Sequence, residues 1–128
     1  MILCLDTSTP TCHLSFMEGE WRYDTNWESG RGLAKGLLHF LEQELSFQEK
    51  SWDDVTGLVV YKGPGSFTGL RIGITVFNTL SYARKVPIVG VTGDDWRQAG
   101  YARLEAGEND EIVLPEYGGE ANITKPRK

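Results

Sequence analysis

The chain has 128 residues, 40% of them hydrophobic and 24% charged, which is the length and balance of one globular domain and excludes the disordered and membrane-embedded classes. Its net charge of -5 excludes the basic surface expected of a main RNA-binding subunit, so any RNA has to be held by a partner.

The chain opens on Met1-Ile2-Leu3-Cys4-Leu5-Asp6, an apolar run with no basic segment ahead of it, and no run approaches the roughly 20 residues of a membrane-spanning helix. A cytoplasmic protein without signal peptide or membrane contact is therefore expected. Cys4 and Cys12 are too few for a disulfide framework and read as buried thiols. Ile2 to Leu5 reads as a buried strand, and Thr11 to Met17 alternates with Cys12, Leu14 and Phe16 on one face. Glu18-Gly19-Glu20 is a hairpin turn, after which Trp21, Tyr23, Thr25 and Trp27 alternate with Arg22, Asp24 and Asn26 in a third strand with one aromatic face. From Gly32 to Leu45 the residues Leu33, Leu37, Phe40, Leu41 and Leu45 recur at helical spacing, and Leu38 widens the apolar arc.

Ser51, three residues before Asp54, begins a short capped turn. Leu58 to Tyr61 reads as a strand, Ile74 to Arg84 as a helix, and Val86 to Val91 as a further strand with Pro87 near its start, where a missing N–H is tolerated. Asp94 or Asp95 caps a helix carrying Trp96, Ala99, Tyr101, Ala102 and Leu104. Gly107 to Asp110 is a loop, Ile112 to Leu114 a last short strand, and residues 118–128 a polar, mobile tail with a basic end, Lys125-Pro126-Arg127-Lys128. One domain over residues 1–117 follows, of α/β class, with a mixed sheet of about five strands and the order βββαβαβα.

The densest signal is Gly63-Pro64-Gly65-Ser66-Phe67-Thr68-Gly69-Leu70-Arg71-Ile72-Gly73, at the junction of a strand and a helix. A glycine inside a helix costs about 1 kcal/mol relative to alanine, so Gly69 and Gly73, four apart on one face, imply close approach of another group. A phosphate at the helix N-terminus is one such neighbour, although the Gly-Lys-Ser/Thr of a P-loop is missing. A second helix seated on the small-residue face is the other, and Gly63, Pro64, Gly65 and Ser66 then serve to shape the turn.

The run GPGSFTGLRIG, with ILCLDTST before it and VPIVGVTG after it, resembles the bacterial TsaB (YeaZ) family over roughly residues 1 to 95. Pro115-Glu116-Tyr117 is similar to a Pro-x-Tyr near the end of longer members, and the chain is too short for the family's second lobe. The resemblance implies a ribonuclease H-like lobe of the actin-like ATPase kind. It also implies a non-catalytic subunit of the threonylcarbamoyladenosine machinery that supports a TsaD-like transferase and touches tRNA only through the complex. A TsaE-like ATPase and a second copy of the chain are further partners that the resemblance allows.

No cofactor, metal or catalytic residue is expected. His13 and His39 are the only histidines and are far apart in sequence, whereas metal sites want three or four ligands. The catalytic relatives of this fold place an Asp-x-Gly-Ser/Thr turn against phosphate. Here Ser8 stands at the glycine position of Asp6-Thr7-Ser8-Thr9, which favours a structural turn over nucleotide contact by Asp6, Thr7 and Ser8. A nucleotide-binding fragment of an actin-like kinase and a self-associating relic remain the alternative functions. Leu70, Ile74, Phe77 and Ser81 form one line of the later helix; Gly69, Gly73, Val76 and Leu80 form another, which one small domain would leave exposed. The partner surface implied by the resemblance comprises Leu37, Phe40 and Leu41 with Gly69, Arg71, Gly73, Val76, Phe77 and Leu80. On that reading Gly73→Leu loses binding while the domain stays folded.

Overall fold

The computed structural model describes residues 1–116; Tyr117 and the tail from Gly118 lie outside the described residues. A continuous apolar run gives β1 (Ile2–Asp6), and alternation of apolar and polar residues gives β2 (Thr11–Glu18) and β3 (Trp21–Glu28), the three pairing antiparallel in turn. Pairing of Glu18 with Trp21 leaves Gly19 and Glu20 to turn the chain, with Gly19 at φ +61°. A 3-10 turn at Gly30–Gly32 leads into α1 (Leu33–Phe47), and a second at Trp52–Asp54 has the capping box expected of Ser51 and Asp54. Then follow β4 (Gly57–Tyr61), α2 (Phe67–Arg84), β5 (Ile88–Val91) and α3 (Trp96–Glu105). Asp95 stands at the N-cap of α3, but its side chain makes no capping hydrogen bond.

The sheet has the order β3-β2-β1-β4-β5, with β1 antiparallel to β2 and parallel to β4, and β4 parallel to β5. Two-residue periodicity sends alternate side chains to opposite faces. Leu3, Leu5, Leu14, Phe16, Leu58 and Val60 meet α1 and α2 on one side. Cys4, Met17, Val59, Val89 and Val91 meet Trp96 of α3 on the other. Both thiols are fully covered, and burial pushes Cys4 and Cys12 up to about 12, so they stay protonated and behave as small apolar groups.

The expected strand over Ile112–Leu114 does not form. The outer edge of β5 is met by side chains instead: the Ile88 N–H donates to Asn109 Oδ1 at 3.1 Å and the Gly90 N–H to Asp110 Oδ2 at 2.9 Å. Arg103 fixes Asp110 there, and Asn78 holds the Val113 backbone at both its N–H and its C=O, 2.9 Å each. With the edge donors satisfied by carboxamide and carboxylate oxygens, a sixth strand has nothing to pair with.

Glu44 sits on the buried stripe of α1, 8% exposed, and its Oε1 has no hydrogen-bond partner among the described residues. Burial pushes its carboxyl above the usual range, partly offset by the Thr25 hydroxyl on β3. A folded-state value above the unfolded one contributes stability below the ordinary glutamate pKa, and that contribution is lost as pH rises through the raised value. Glu44→Gln is therefore expected to raise stability at pH 7 by about 1 kcal/mol, with the gap closing in acid. Urea titrations at both pH values check this, and a less stable Gln variant at neutral pH contradicts it.

Candidate functional site

After β4 the chain enters α2 through the glycine run, and each glycine has a neighbour where its side chain would be. A Cβ at Gly69 would lie 2.2 Å from the Thr7 carbonyl oxygen, and one at Gly73 would lie 2.2 Å from Thr7 Oγ1. A Cβ at Gly65 would meet Ser8 Cβ at 2.5 Å, and one at Gly63, where φ is +124°, would meet the Glu116 carbonyl oxygen at 2.0 Å. Thr7 is 1% exposed and its hydroxyl donates to the Gly69 carbonyl at 2.7 Å. The Ser66 N–H donates to the Ser8 carbonyl at 2.9 Å, and the Ser8 N–H donates to Asp6 Oδ1 at 2.8 Å. Ser66 also caps α2, its Oγ accepting from the Gly69 N–H at 3.3 Å. The Gly63-Pro64 peptide is cis, and the Tyr61 hydroxyl donates to the Pro64 carbonyl.

This cradle corrects the reading of the small-residue face. The close neighbour of Gly69 and Gly73 is the chain's own first turn, neither a phosphate nor a partner helix. The gap that a phosphate needs between Asp6-Thr7-Ser8 and the start of α2 is filled by Thr7 and Ser8 themselves.

The same packing redistributes the expected partner surface. Leu37, Phe40, Leu41 and Phe77 are buried between the helices and the sheet and supply core rather than docking surface. Gly69 and Gly73 belong to the cradle. Leu80 is half-buried at the margin of the core. Arg71 is exposed and Val76 half-buried, and both line a groove of about 380 Å³ between α1 and α2 together with Ala34, Phe67, Thr68, Ile72 and Thr75. Arg71 lies over the Phe67 ring, 5.2 Å from its centroid, and Leu38 stands 48% exposed one turn beyond Ala34. Ala34/Leu38 and Ile72/Val76 are two i,i+4 pairs set one or two residues off the core stripes, a spacing visible in the sequence. Among the described residues no group of three or more His, Cys, Asp or Glu could hold a metal, and no helix is long and apolar enough to cross a membrane.

Residues 28–96, from the end of β3 through both helices to the start of α3, match the family model "TsaD: tRNA N6-adenosine threonylcarbamoyltransferase", more than half of the chain. The chain belongs to the TsaB–TsaD family. The tRNA threonylcarbamoyladenosine biosynthesis protein TsaB of Escherichia coli is 28% identical over 94% of this chain and 56% of its own length. TsaB of Bacillus subtilis is 32% identical over 71% of this chain and 40% of its own. The solved structure of YeaZ from Pseudomonas aeruginosa superimposes with a TM-score of 0.67 at 30% identity, covering 83% of this chain and 49% of that one. The chain thus spans about half the length of the relatives it matches, and its fold is the ribonuclease H-like lobe of the TsaB kind. The family match includes the glycine run with α1 and α2, the two helices that carry the groove, while the Thr7–Ser8 turn lies outside it.

Proposed function

We propose that this chain is a non-catalytic TsaB-like subunit that docks through the outer α1–α2 groove onto a TsaD-like transferase and supports threonylcarbamoylation of the adenosine beside the tRNA anticodon. The observation that carries this reading is the groove lined by Ala34, Ile72 and Val76 on the two family-matched helices, with Ile72 and Val76 half-buried and Leu38 exposed one turn beyond Ala34. An exposed apolar patch on so small a domain is an interface feature. A supporting rather than catalytic role is favoured by the residues present: both thiols are buried and protonated, and the turn that carries phosphate in catalytic relatives of the fold is packed into the cradle. The lobe, residues 1–117, acts in the cytosol, and the RNA is held by the partner because this chain is acidic. A TsaE-like ATPase joins at the junction of the two subunits.

The test mixes the purified chain with the TsaD homologue of the same organism and measures mass by size-exclusion chromatography with light scattering. A discrete heteromer is expected, together with a fall in threonylcarbamoyladenosine when the chain is depleted from cells. Two independent peaks and an unchanged modification level overturn the reading.

A further inference from the structure

The face around the α1–α2 groove is basic in an acidic chain. Of 18 acidic residues, none falls in segments 29–41 or 55–93, which hold the first half of α1 and everything from β4 to β5. Arg71 lines the groove, while Arg31 and Lys35 flank Ala34 on the α1 side, three residues before it and one after; all three are exposed. Arg22, Lys62, Arg84 and Arg103 each pair with a carboxylate. Among the described residues no carboxylate lies within salt-bridge distance of Arg31, Lys35 or Arg71. The acids of α1 begin one turn beyond Leu38, where Glu42 accepts from the Trp52 indole N–H and Glu44 is buried against β3.

We infer that the groove receives a protein surface on which an apolar ridge is rimmed by Asp or Glu, so that partner choice at the docking site is electrostatic. This rests on the docking reading given above and names the chemistry of the surface that fits. A nucleic acid is the poorer occupant: the apolar part of the lining, Ala34, Ile72 and Val76, gives its bases nothing to pair with, and three cations on a chain that is negative overall hold few phosphates. A second copy is also a poor occupant. A two-fold axis through the groove would set Arg31, Lys35 and Arg71 of both copies along one seam, and like charges facing each other select against self-pairing. An acidic rim instead gains complementary charge at the edge and apolar burial at the centre, the usual division of labour in an interface.

The experiment measures affinity of the full chain for the TsaD homologue by calorimetry at about 50 and about 500 mM salt, between which screening removes most rim attraction. The comparison is with Lys35→Glu/Arg71→Glu and the milder Lys35→Gln/Arg71→Gln, all checked for an unchanged melting temperature. The expected result is at least tenfold weaker binding at high salt and a comparable loss at low salt on charge reversal, with the Gln pair intermediate. Salt-insensitive binding that survives reversal overturns the inference and leaves the docking reading standing. No complex at either salt, from a folded chain, removes both. A transfer RNA retained by the native chain and released by the reversed one, with the protein complex unaffected, overturns it in favour of nucleic acid.

Discussion

Gly73→Leu is expected to unfold the domain rather than weaken a surface contact. The position is buried, and even a Cβ there would lie 2.2 Å from Thr7 Oγ1 and 2.9 Å from Thr7 Cγ2, so a leucine has to expel the turn that closes β1. Overpacking of this kind, with the Thr7–Gly69 hydrogen bond broken as well, costs about 3 kcal/mol or more, a large share of the stability of a domain this size. The alanine variants sharpen the test because their sign is informative. On an open helical site Gly→Ala stabilises by about 1 kcal/mol, whereas in the cradle it should destabilise by about 1–3 kcal/mol. Thr7→Ala removes both of the nearest atoms facing Gly73 and leaves only Thr7 Cβ, 3.1 Å away, so it should relieve most of the cost of Gly73→Ala. It should not relieve Gly69→Ala, whose obstacle is the Thr7 backbone carbonyl at 2.2 Å. Urea unfolding of the singles and doubles, read as two double-mutant cycles, gives the answer. A folded Gly73→Leu with an unshifted midpoint would return the small-residue face to the surface.

The layered fold was legible because its patterns are local properties: an apolar run in β1, alternation in β2 and β3, and Leu33, Leu37, Leu41 and Leu45 on one stripe of α1. The glycines announced a close approach without saying to what, since the absence of a side chain carries no information about the neighbour. That neighbour, Thr7, is 62 residues away and becomes evident only when β1 and β4 pair in parallel and α2 returns across them. The interface reading suffered from the same limit. A stripe of leucines and phenylalanines marks the side of a helix that is covered, but sequence alone does not separate cover by the chain's own sheet from cover by a partner. Leu37, Phe40 and Leu41 meet the sheet, whereas Ala34 and Leu38 beside them are exposed and Ile72 and Val76 are only half-buried. Ile112 to Leu114 had strand-forming residues, yet Asn109 and Asp110 had already taken the donors of the edge. Glu44 was the one visible warning, an acid at the i+4 position from Phe40 on a buried stripe.

Leu37 and Leu38 are adjacent, about 100° apart on the helix, and their substitution by aspartate should separate folding from docking. Leu37 is 0% exposed, so an aspartate there buries an unpaired charge in the core and should leave no folded protein to assay. Leu38 is 48% exposed, and Leu38→Asp should change stability by no more than about 0.5 kcal/mol. Against a TsaD-like partner the expectation reverses. Beside the groove, covered by the partner, the variant exchanges apolar burial for a desolvated carboxylate, and on an acid-rimmed partner the new charge meets like charge. A loss of about 3 kcal/mol, more than a hundredfold in affinity, is expected at an anchoring position. Calorimetric titration of the folded Leu38→Asp chain with the TsaD homologue reads this out directly. Normal affinity with a normal melting curve would show that the partner does not seat on the Leu38 side of α1.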